Sequence, residues 1–131
     1  MSSPNDIRAL EIRAFRAWPA LQTRTDQGWV QRLAGGYTKR ANSINALEPN
    51  STLTHQVKDG LEGPYRLAGL PPIWRLTPLA PAGTDDLLAA VGYRRIDESL
   101  VQRATLDGRF ILDPEVRIAP SPSDAWLAGF A

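Results

Sequence analysis

The chain has 131 residues, with 15 basic and 14 acidic side chains and a formal charge of +1. This length allows one substantial core, and the near-neutral charge excludes bulk attraction to a nucleic-acid backbone. Cysteine does not occur, which excludes disulfides, a thiolate nucleophile and cysteine-ligated zinc. The polar start and the lack of an apolar run of about 20 residues predict a cytoplasmic protein that does not enter a membrane.

The first predicted element is an amphipathic helix from Asp6 to about Trp18, because apolar residues recur there at steps of three and four. Asn5 or Asp6 is predicted to cap its start, and Pro19 is expected to end it. Glu11 has charged neighbours on this helix. The pattern therefore favours a solvated helix flank for Glu11 over a buried catalytic base.

Two strands are predicted next, Trp29 to Ala34 and Tyr37 to Leu47, joined by a tight turn at Gly35-Gly36. Polar groups cluster at the start of the second strand, where apolar or alternating residues would pack better. This cluster predicts four substrate-cleft residues: Tyr37, Arg40, Asn42 and Ser43. In the alternative interpretation, Asn42 and Ser43 satisfy backbone groups at a bulge or strand end, and Arg40 pairs with an acid on the neighbouring strand.

A helix capped by Ser51 or Thr52 is predicted to run through about Asp59, and glycines and a proline should break or kink it afterwards. His55 and Asp59 in this helix are four residues apart. One imidazole and one carboxylate do not make a metal site, so an exposed helical pair is predicted and metal binding is not. The tryptophans at positions 18, 29 and 74 are predicted to lie in the core or at its rim.

The second half of the chain contains shorter predicted elements. Ile73 to Thr77 is predicted to form a short strand, and a short helix capped by Thr84 follows and ends at Gly92. Ser99 to Leu106 has a β pattern, and Asp107-Gly108 predicts a hairpin that pairs it with residues 109–112.

Prolines and serines after Asp113 are typical of a linker, and Ser123 is predicted to begin a capped helix. Trp126, Leu127 and Phe130 form an apolar end to this segment. The pattern fits a natural protein that continues past Ala131, or a short tail that docks on the domain or on another copy.

Three stretches together resemble the N-terminal half of two-part GNAT-family (GCN5-related) N-acetyltransferases: Glu11 to Leu21, Gly28 to Ile44 and Leu87 to Arg94. The specific part is Gly-Trp followed by Gly-Tyr-Thr-Lys-Arg-Ala-Asn-Ser, and the resemblance covers about Ile7 to Leu106. It implies an α/β (α+β) fold with a GNAT-like mixed, mostly antiparallel central sheet flanked by helices. It also implies a GNAT-like domain over residues 1–112, followed by a linker and the start of a further segment over 113–131.

The resemblance implies transfer of an acetyl group from acetyl-CoA to an amine in the intact protein. GNAT enzymes seat the pyrophosphate on a glycine-rich Arg/Gln-x-x-Gly-x-Gly/Ala loop at a helix N-terminus, where unpaired amides favour an anion. Here the corresponding junction, Leu47 to Thr52, has no glycine and carries Glu48. We therefore predict an accessory N-terminal module without its own cofactor site or catalytic residues, which packs against a C-terminal catalytic half.

Two alternatives remain open at this point. The first is a free-standing binding or dimerisation domain with a degenerate GNAT-like sheet, with a homodimer as a possible assembly. The second is a complete minimal acyltransferase with an atypical phosphate site. Nucleic acid and membranes are not expected partners in any of these interpretations.

Overall fold

The computed structural model describes residues 2–108 and 113–129. Within them the chain is a mixed α/β protein in which helices flank a four-stranded sheet with strand order β1-β2-β3-β4. The predicted fold class is therefore confirmed. The chain forms two compact units, Met1–Arg95 and Ile96–Ala131, and all four strands belong to the first. The domain organisation with a boundary between residues 112 and 113 stays a prediction.

Helix α1 (Pro4–Ala17) begins the first unit, as predicted, and ends before Pro19. Its cap is Ser3 rather than Asn5 or Asp6. The Ser3 hydroxyl accepts a hydrogen bond from the Asp6 N–H (3.2 Å), and the Asp6 carboxylate accepts one from the Ser3 N–H (3.1 Å). This reciprocal capping box satisfies backbone donors that the first helical turn leaves unpaired.

Strands β1 (Gln22–Asp26) and β2 (Trp29–Leu33) form an antiparallel hairpin. Gln27 and Gly28 connect them with positive φ angles of 47° and 82°, which a two-residue hairpin turn requires. The sequence predicts β2 but not β1, because β1 contains no apolar residue and all its side chains are exposed. β1 forms one edge of the sheet.

Strand β3 (Ser43–Ala46) pairs antiparallel with β2 and parallel with the short strand β4 (Trp74–Arg75). The predicted strand from Tyr37 to Leu47 is therefore wrong over its first half, where residues 34–42 form a loop. Gly35 and Gly36 have the expected positive φ angles, but the connection is longer than a tight turn. Hydrogen bonds of the Asn42 side chain, and not a strand ladder, close this loop.

Helix α2 (His55–Leu67) packs on one face of the sheet. The core consists of buried apolar side chains from β2, β3, α2 and the segment after β4: Trp29, Leu33, Ile44, Ala46, Leu61, Tyr65 and Leu79. Trp74 packs against this core and meets Trp29 edge to face, with ring centroids 5.2 Å apart. The core positions predicted for these two tryptophans are confirmed, whereas Trp18 is 46% exposed.

The predicted start of α2 is wrong. The helix begins at His55, and its cap is Thr54, whose hydroxyl accepts a hydrogen bond from the Val57 N–H (3.2 Å). Ser51 does not cap the helix because its hydroxyl donates to the backbone carbonyls of Gly28 and Glu48.

The predicted break in this helix is also wrong, since α2 continues through Gly60, Gly63 and Pro64. Leu61, between Gly60 and Gly63, and Tyr65, directly after Pro64, are fully buried. We attribute the intact helix to the burial of these side chains, which outweighs the local cost of glycine and proline.

The predicted strand from Ile73 to Thr77 is reduced to the two residues of β4. Helix α3 (Thr84–Ala90) follows and has Asp85 and Asp86 in its first turn, as predicted, where the helix dipole favours carboxylates. Thr84 is the first residue of α3 and not its cap, because its hydroxyl donates to the Pro81 carbonyl (2.7 Å).

In the second unit, helix α4 (Asp124–Ala128) begins where predicted, and the Ser123 hydroxyl accepts a hydrogen bond from the Trp126 N–H (3.2 Å). The predicted strand from Ser99 to Leu106 is wrong, since these residues have no regular secondary structure. A β pattern forms a strand only where another strand satisfies its backbone groups. The predicted return strand over 109–112 lies outside the described residues.

Candidate functional site

The four predicted substrate-cleft residues lie in and next to the loop between β2 and β3. The Asn42 side-chain oxygen accepts hydrogen bonds from the backbone N–H groups of Ala34 (2.7 Å) and Gly36 (2.9 Å). Its amide donates to the Thr38 carbonyl (2.6 Å), and the residue is 3% exposed. Asn42 therefore closes the loop from inside and fixes its shape.

Ser43 is fully buried at the start of β3. The Asn45 amide nitrogen donates to the Ser43 carbonyl (2.9 Å) and lies 3.2 Å from the Ser43 hydroxyl. These contacts are of the kind expected from the alternative interpretation, in which Asn42 and Ser43 satisfy polar groups at a strand end. A role of either residue in a substrate cleft stays a prediction.

Tyr37 and Arg40 lie on the outer side of the same loop. The Tyr37 side chain is 85% exposed, and Arg40 is exposed while its carbonyl accepts a hydrogen bond from Arg32. A cavity of about 120 Å³ adjoins the loop, lined by Gly36, Thr38, Lys39, Asn42, Leu70, Pro71 and Ile73. The structure thus brings the predicted residues to one loop but divides them into an exposed pair and a buried pair.

A polar contact joins α1 to the sheet. The Glu11 carboxylate accepts hydrogen bonds from both terminal nitrogens of Arg75 on β4, one of them at 3.1 Å, and the Glu11 side chain is 6% exposed. The predicted solvated flank is therefore wrong for Glu11. The carboxylate faces the Arg75 cation, which lies 64 positions further along the chain. No local sequence pattern predicts a partner at that distance.

Arg32 on β2 lies in the same layer. Its guanidinium is 4.5 Å from the ring centroid of Phe15 and donates to the carbonyls of Trp18 and Arg40. Burial, and then repulsion by Arg75, lower the pKa of Arg32. Carbonyl oxygens and an aromatic face hold this cation, which ties the end of α1 to the loop after β2.

Glu62 on α2 is the most heavily bonded carboxylate among the described residues. It is 0% exposed and accepts hydrogen bonds from Lys58 (3.0 Å), Trp74 (3.1 Å), Tyr93 (2.7 Å) and Arg66. Burial acts to raise the pKa of Glu62, but the hydrogen bonds from Tyr93, Lys58 and Trp74 outweigh it, and the pKa lies below its ordinary value.

The partners of Glu62 respond to the same contacts. Burial and the hydrogen bond to Glu62 raise the pKa of Tyr93. Burial acts to lower the pKa of Lys58, yet its hydrogen bonds to Asp59 and Glu62 raise it overall. In the sequence, Lys58 and Glu62 have the spacing of an ordinary surface pair on a helix, so sequence reasoning did not identify this buried cluster.

The junction between β3 and α2 is the segment that the sequence resemblance compares with a pyrophosphate-binding loop. Here the N–H groups of Leu47 and Glu48 both donate to the Gly28 carbonyl (3.0 and 3.1 Å), and the Ser51 N–H donates to the Glu48 carbonyl (3.1 Å). The Glu48 carboxylate accepts hydrogen bonds from Arg8 (2.7 and 3.1 Å). Contacts within the chain therefore occupy three backbone donors of this junction, the N–H groups of Leu47, Glu48 and Ser51.

His55 is exposed at the first turn of α2, as predicted, and Asp59 is paired with Lys58 (2.8 Å). Residues 2–108 and 113–129 contain no group of three or more histidine, aspartate or glutamate side chains placed to hold a metal ion. Within the same residues, no helix has the length and apolarity that a bilayer crossing needs.

Comparison with known proteins gives two matches. The family model described as "Probable histone acetyltransferase Rv0428c C-terminal" matches residues 4–130. The uncharacterized N-acetyltransferase YobR of Bacillus subtilis (strain 168) is 30% identical over 135 residues, which cover 96% of this chain and 52% of YobR. The chain therefore spans about half the length of this curated relative. No solved structure matches the chain.

Both matches agree with the acetyltransferase resemblance, but the family model corrects the predicted position of the chain within the protein. The matching family model is described as a C-terminal region, so the prediction of an N-terminal half is wrong. The match extends over nearly the whole chain and is not confined to the Gly28 to Ile44 stretch that carried the resemblance. The chain belongs to the family of the C-terminal region of the probable histone acetyltransferase Rv0428c.

Proposed function

We propose that this chain is an accessory module of a GNAT-type N-acetyltransferase. It helps to shape the cleft for the acceptor amine, and another segment of the intact protein binds acetyl-CoA and transfers the acetyl group. Membership of an acetyltransferase family supports acetyl transfer in general. The absence of an acetyl-CoA site of its own is supported by one observation: backbone N–H groups at the junction between β3 and α2 already donate to acceptors within the chain.

A pyrophosphate needs several backbone N–H groups that have no other acceptor. At this junction the N–H groups of Leu47, Glu48 and Ser51 already donate to carbonyls, and the Val57 N–H donates to the Thr54 cap. Glu48 adds a carboxylate whose side chain is 46% exposed. Displacing these contacts and bringing a diphosphate close to a carboxylate would both cost free energy, so this junction is a poor cofactor seat.

The loop between β2 and β3 is the part of the module that we assign to the acceptor cleft. Its inner side is fixed by Asn42, which presents Tyr37 and Arg40 on a defined backbone. An exposed aromatic ring such as that of Tyr37 attracts an ammonium group over its face. The description of the family as that of a probable histone acetyltransferase makes a lysine side chain the first acceptor to test.

The first experiment titrates acetyl-CoA into the 131-residue chain and follows backbone amide shifts. We expect no saturable shifts, and no acetylation of a lysine peptide by the chain alone. Saturable shifts of the amides from Asn50 to Leu53 would instead place a cofactor site at the junction and support the complete minimal acyltransferase.

The second experiment tests the cleft in the intact protein encoded by the gene. Tyr37→Ala should raise the KM for the amine about tenfold because it removes the aromatic face, and Arg40→Ala should lower it because it removes a cation that repels an ammonium group. Neither substitution should change the KM for acetyl-CoA. Arg13→Ala, a substitution of another exposed residue on α1, is the control and should change neither constant. Unchanged kinetics in both loop variants would contradict the assignment of the cleft.

A binding or dimerisation domain is the second candidate function. It is favoured by large apolar side chains of the second unit that are more than half exposed: Leu100, Val101, Leu106, Val116, Ile118, Trp126 and Leu127. A contiguous patch of exposed apolar groups is typical of a surface that another protein covers. The reading frame of the gene discriminates the two candidates, because an Arg/Gln-x-x-Gly-x-Gly/Ala loop outside this chain is required by the accessory role only.

A further inference from the structure

The outer edge of β1 is open within the described part of the chain. β1 pairs with β2 on one side, and no described strand lies on its other side. All five of its side chains are exposed. An open strand edge presents unpaired N–H and C=O groups, which another strand can satisfy.

The hairpin determines which backbone groups point outward. Asp26 and Trp29 lie opposite each other across the two-residue turn, and residues in that position exchange both backbone hydrogen bonds. Because backbone groups alternate along a strand, those of Arg24 also point toward β2. The N–H and C=O groups of Thr23 and Thr25 therefore point away from the sheet.

We propose that two copies of this chain pair through their β1 strands, antiparallel, about a two-fold axis at Thr25. In this register the two Thr25 residues exchange reciprocal backbone hydrogen bonds. Arg24 of each copy lies opposite Asp26 of the other. These flanking positions are pairs without backbone hydrogen bonds, where cross-strand side chains come closest, so two ion pairs form at the dimer centre.

Other symmetric registers are less favourable. An axis at Arg24 would place the two Arg24 side chains directly opposite each other, which is destabilising. An axis at Thr23 would leave Asp26 beyond the end of the other strand and without a cross-strand partner. The Thr-Arg-Thr-Asp sequence of residues 23–26 is thus complementary to itself in one register only.

The surface next to this edge also favours a second copy. A groove of about 420 Å³, lined mainly by apolar residues, lies between β1 and the end of α2. Leu21 and Leu67 line it and are 84% and 92% exposed. In the proposed register Gln22 lies opposite Gly28 of the second copy, so the hairpin turn of that copy runs beside the groove and covers apolar surface.

Sedimentation velocity over a concentration series tests the proposal. The wild-type chain should show a species of twice the chain mass, and salt should weaken it because the paired charges are exposed. Arg24→Asp alone places like charges opposite each other, as does Asp26→Arg alone. Each should raise the dissociation constant of the homodimer about tenfold or more.

The two single variants also form a matched set. When they are mixed, both carboxylates of the Arg24→Asp chain face both guanidinium groups of the Asp26→Arg chain, so the heterodimer should form although neither homodimer does. The double variant Arg24→Asp with Asp26→Arg should regain the wild-type dissociation constant. Arg13→Asp, an exposed charge reversal on α1, should have no effect, and circular dichroism should show equal folding throughout.

Three results would overturn the proposal. They are a wild-type chain that stays monomeric at its highest soluble concentration, single variants that dimerise as well as the wild type, and a mixture of the variants that remains monomeric. None of these results bears on acetyl-CoA binding, so the outcome is independent of the proposed function.

Discussion

The two faces of the sheet differ in chemistry although both are covered by a helix. Strand register places Trp29, Gln31, Leu33, Ile44 and Ala46 on the face that packs against α2. The opposite face carries Val30, Arg32, Ser43, Asn45 and Arg75, and contacts Glu11 and Phe15 of α1. The first face is held mainly by apolar burial and the second mainly by polar contacts.

All five residues of β2 are buried because both faces of this strand are covered by a helix. The polar side chains of β2 do not face water. Gln31 lies on the α2 face and donates to the Leu61 carbonyl, whereas Arg32 faces α1. On the α1 face, the Glu11 carboxylate and backbone carbonyls satisfy cations from the sheet. Alternation therefore identified two faces correctly but did not reveal that the polar face is covered.

The largest expected effect comes from breaking the apolar face. Trp29→Ala removes a ring that is 0% exposed, packs on Trp74 and donates to the Thr52 carbonyl (2.9 Å). We expect a loss of about 3–5 kcal/mol in the free energy of unfolding, measured by urea denaturation. Trp18→Ala, at a position 46% exposed, is the matched control and should cost no more than about 1 kcal/mol. Equal losses would contradict the view that the α2 face carries most of the stability.

The apolar face was largely predictable from sequence. The positions of Trp29, Ile44 and Trp74 follow from β patterns flanked by turn residues, and α1 follows from helical spacing and a proline. The errors lie where a tertiary contact decides. Burial of Leu61 and Tyr65 keeps α2 intact through residues that normally interrupt a helix.

The polar face and the candidate site were less predictable. The sequence marked Asn42 and Ser43 as polar residues in an unusual place, but their partners are set by loop geometry. Glu11 and Arg75 meet across 64 positions, which no local spacing encodes. The β pattern of Ser99 to Leu106 predicts a strand that does not form, because a local β pattern cannot supply the neighbouring strand.

A double-mutant cycle on Glu11 and Arg75 tests whether the polar face is held by its ion pair. Glu11→Leu leaves the Arg75 cation without its carboxylate, and we expect a loss of about 1–3 kcal/mol, since the Arg75 side chain is 33% exposed and keeps partial hydration. Glu11→Leu with Arg75→Leu should recover most of this loss, because apolar residues can replace a pair without leaving a charge alone. Additive losses in urea denaturation would show that the two side chains act independently.

The smallest expected effect is a pH dependence of the free energy of unfolding that comes from Glu62. This residue is polar but lies on α2, the helix that covers the apolar face. Its pKa in the folded protein lies below the ordinary value of 4.5, because hydrogen bonds from Tyr93, Lys58 and Trp74 outweigh burial. A carboxyl group with a lowered pKa stabilises the fold fully above its unfolded pKa. That contribution is lost as the pH falls through the lower, folded pKa.

The difference in unfolding free energy between wild type and Glu62→Gln should therefore be constant above about pH 5 and should shrink below that point. Thermal or urea unfolding across the acid range measures it. Asp59→Asn is the control: a hydrogen bond from Lys58 also lowers the pKa of Asp59, but its side chain is 64% exposed, so we expect a weaker pH dependence. A difference for Glu62→Gln that stays constant down to about pH 3 would mean that Glu62 acts through packing and not through its charge.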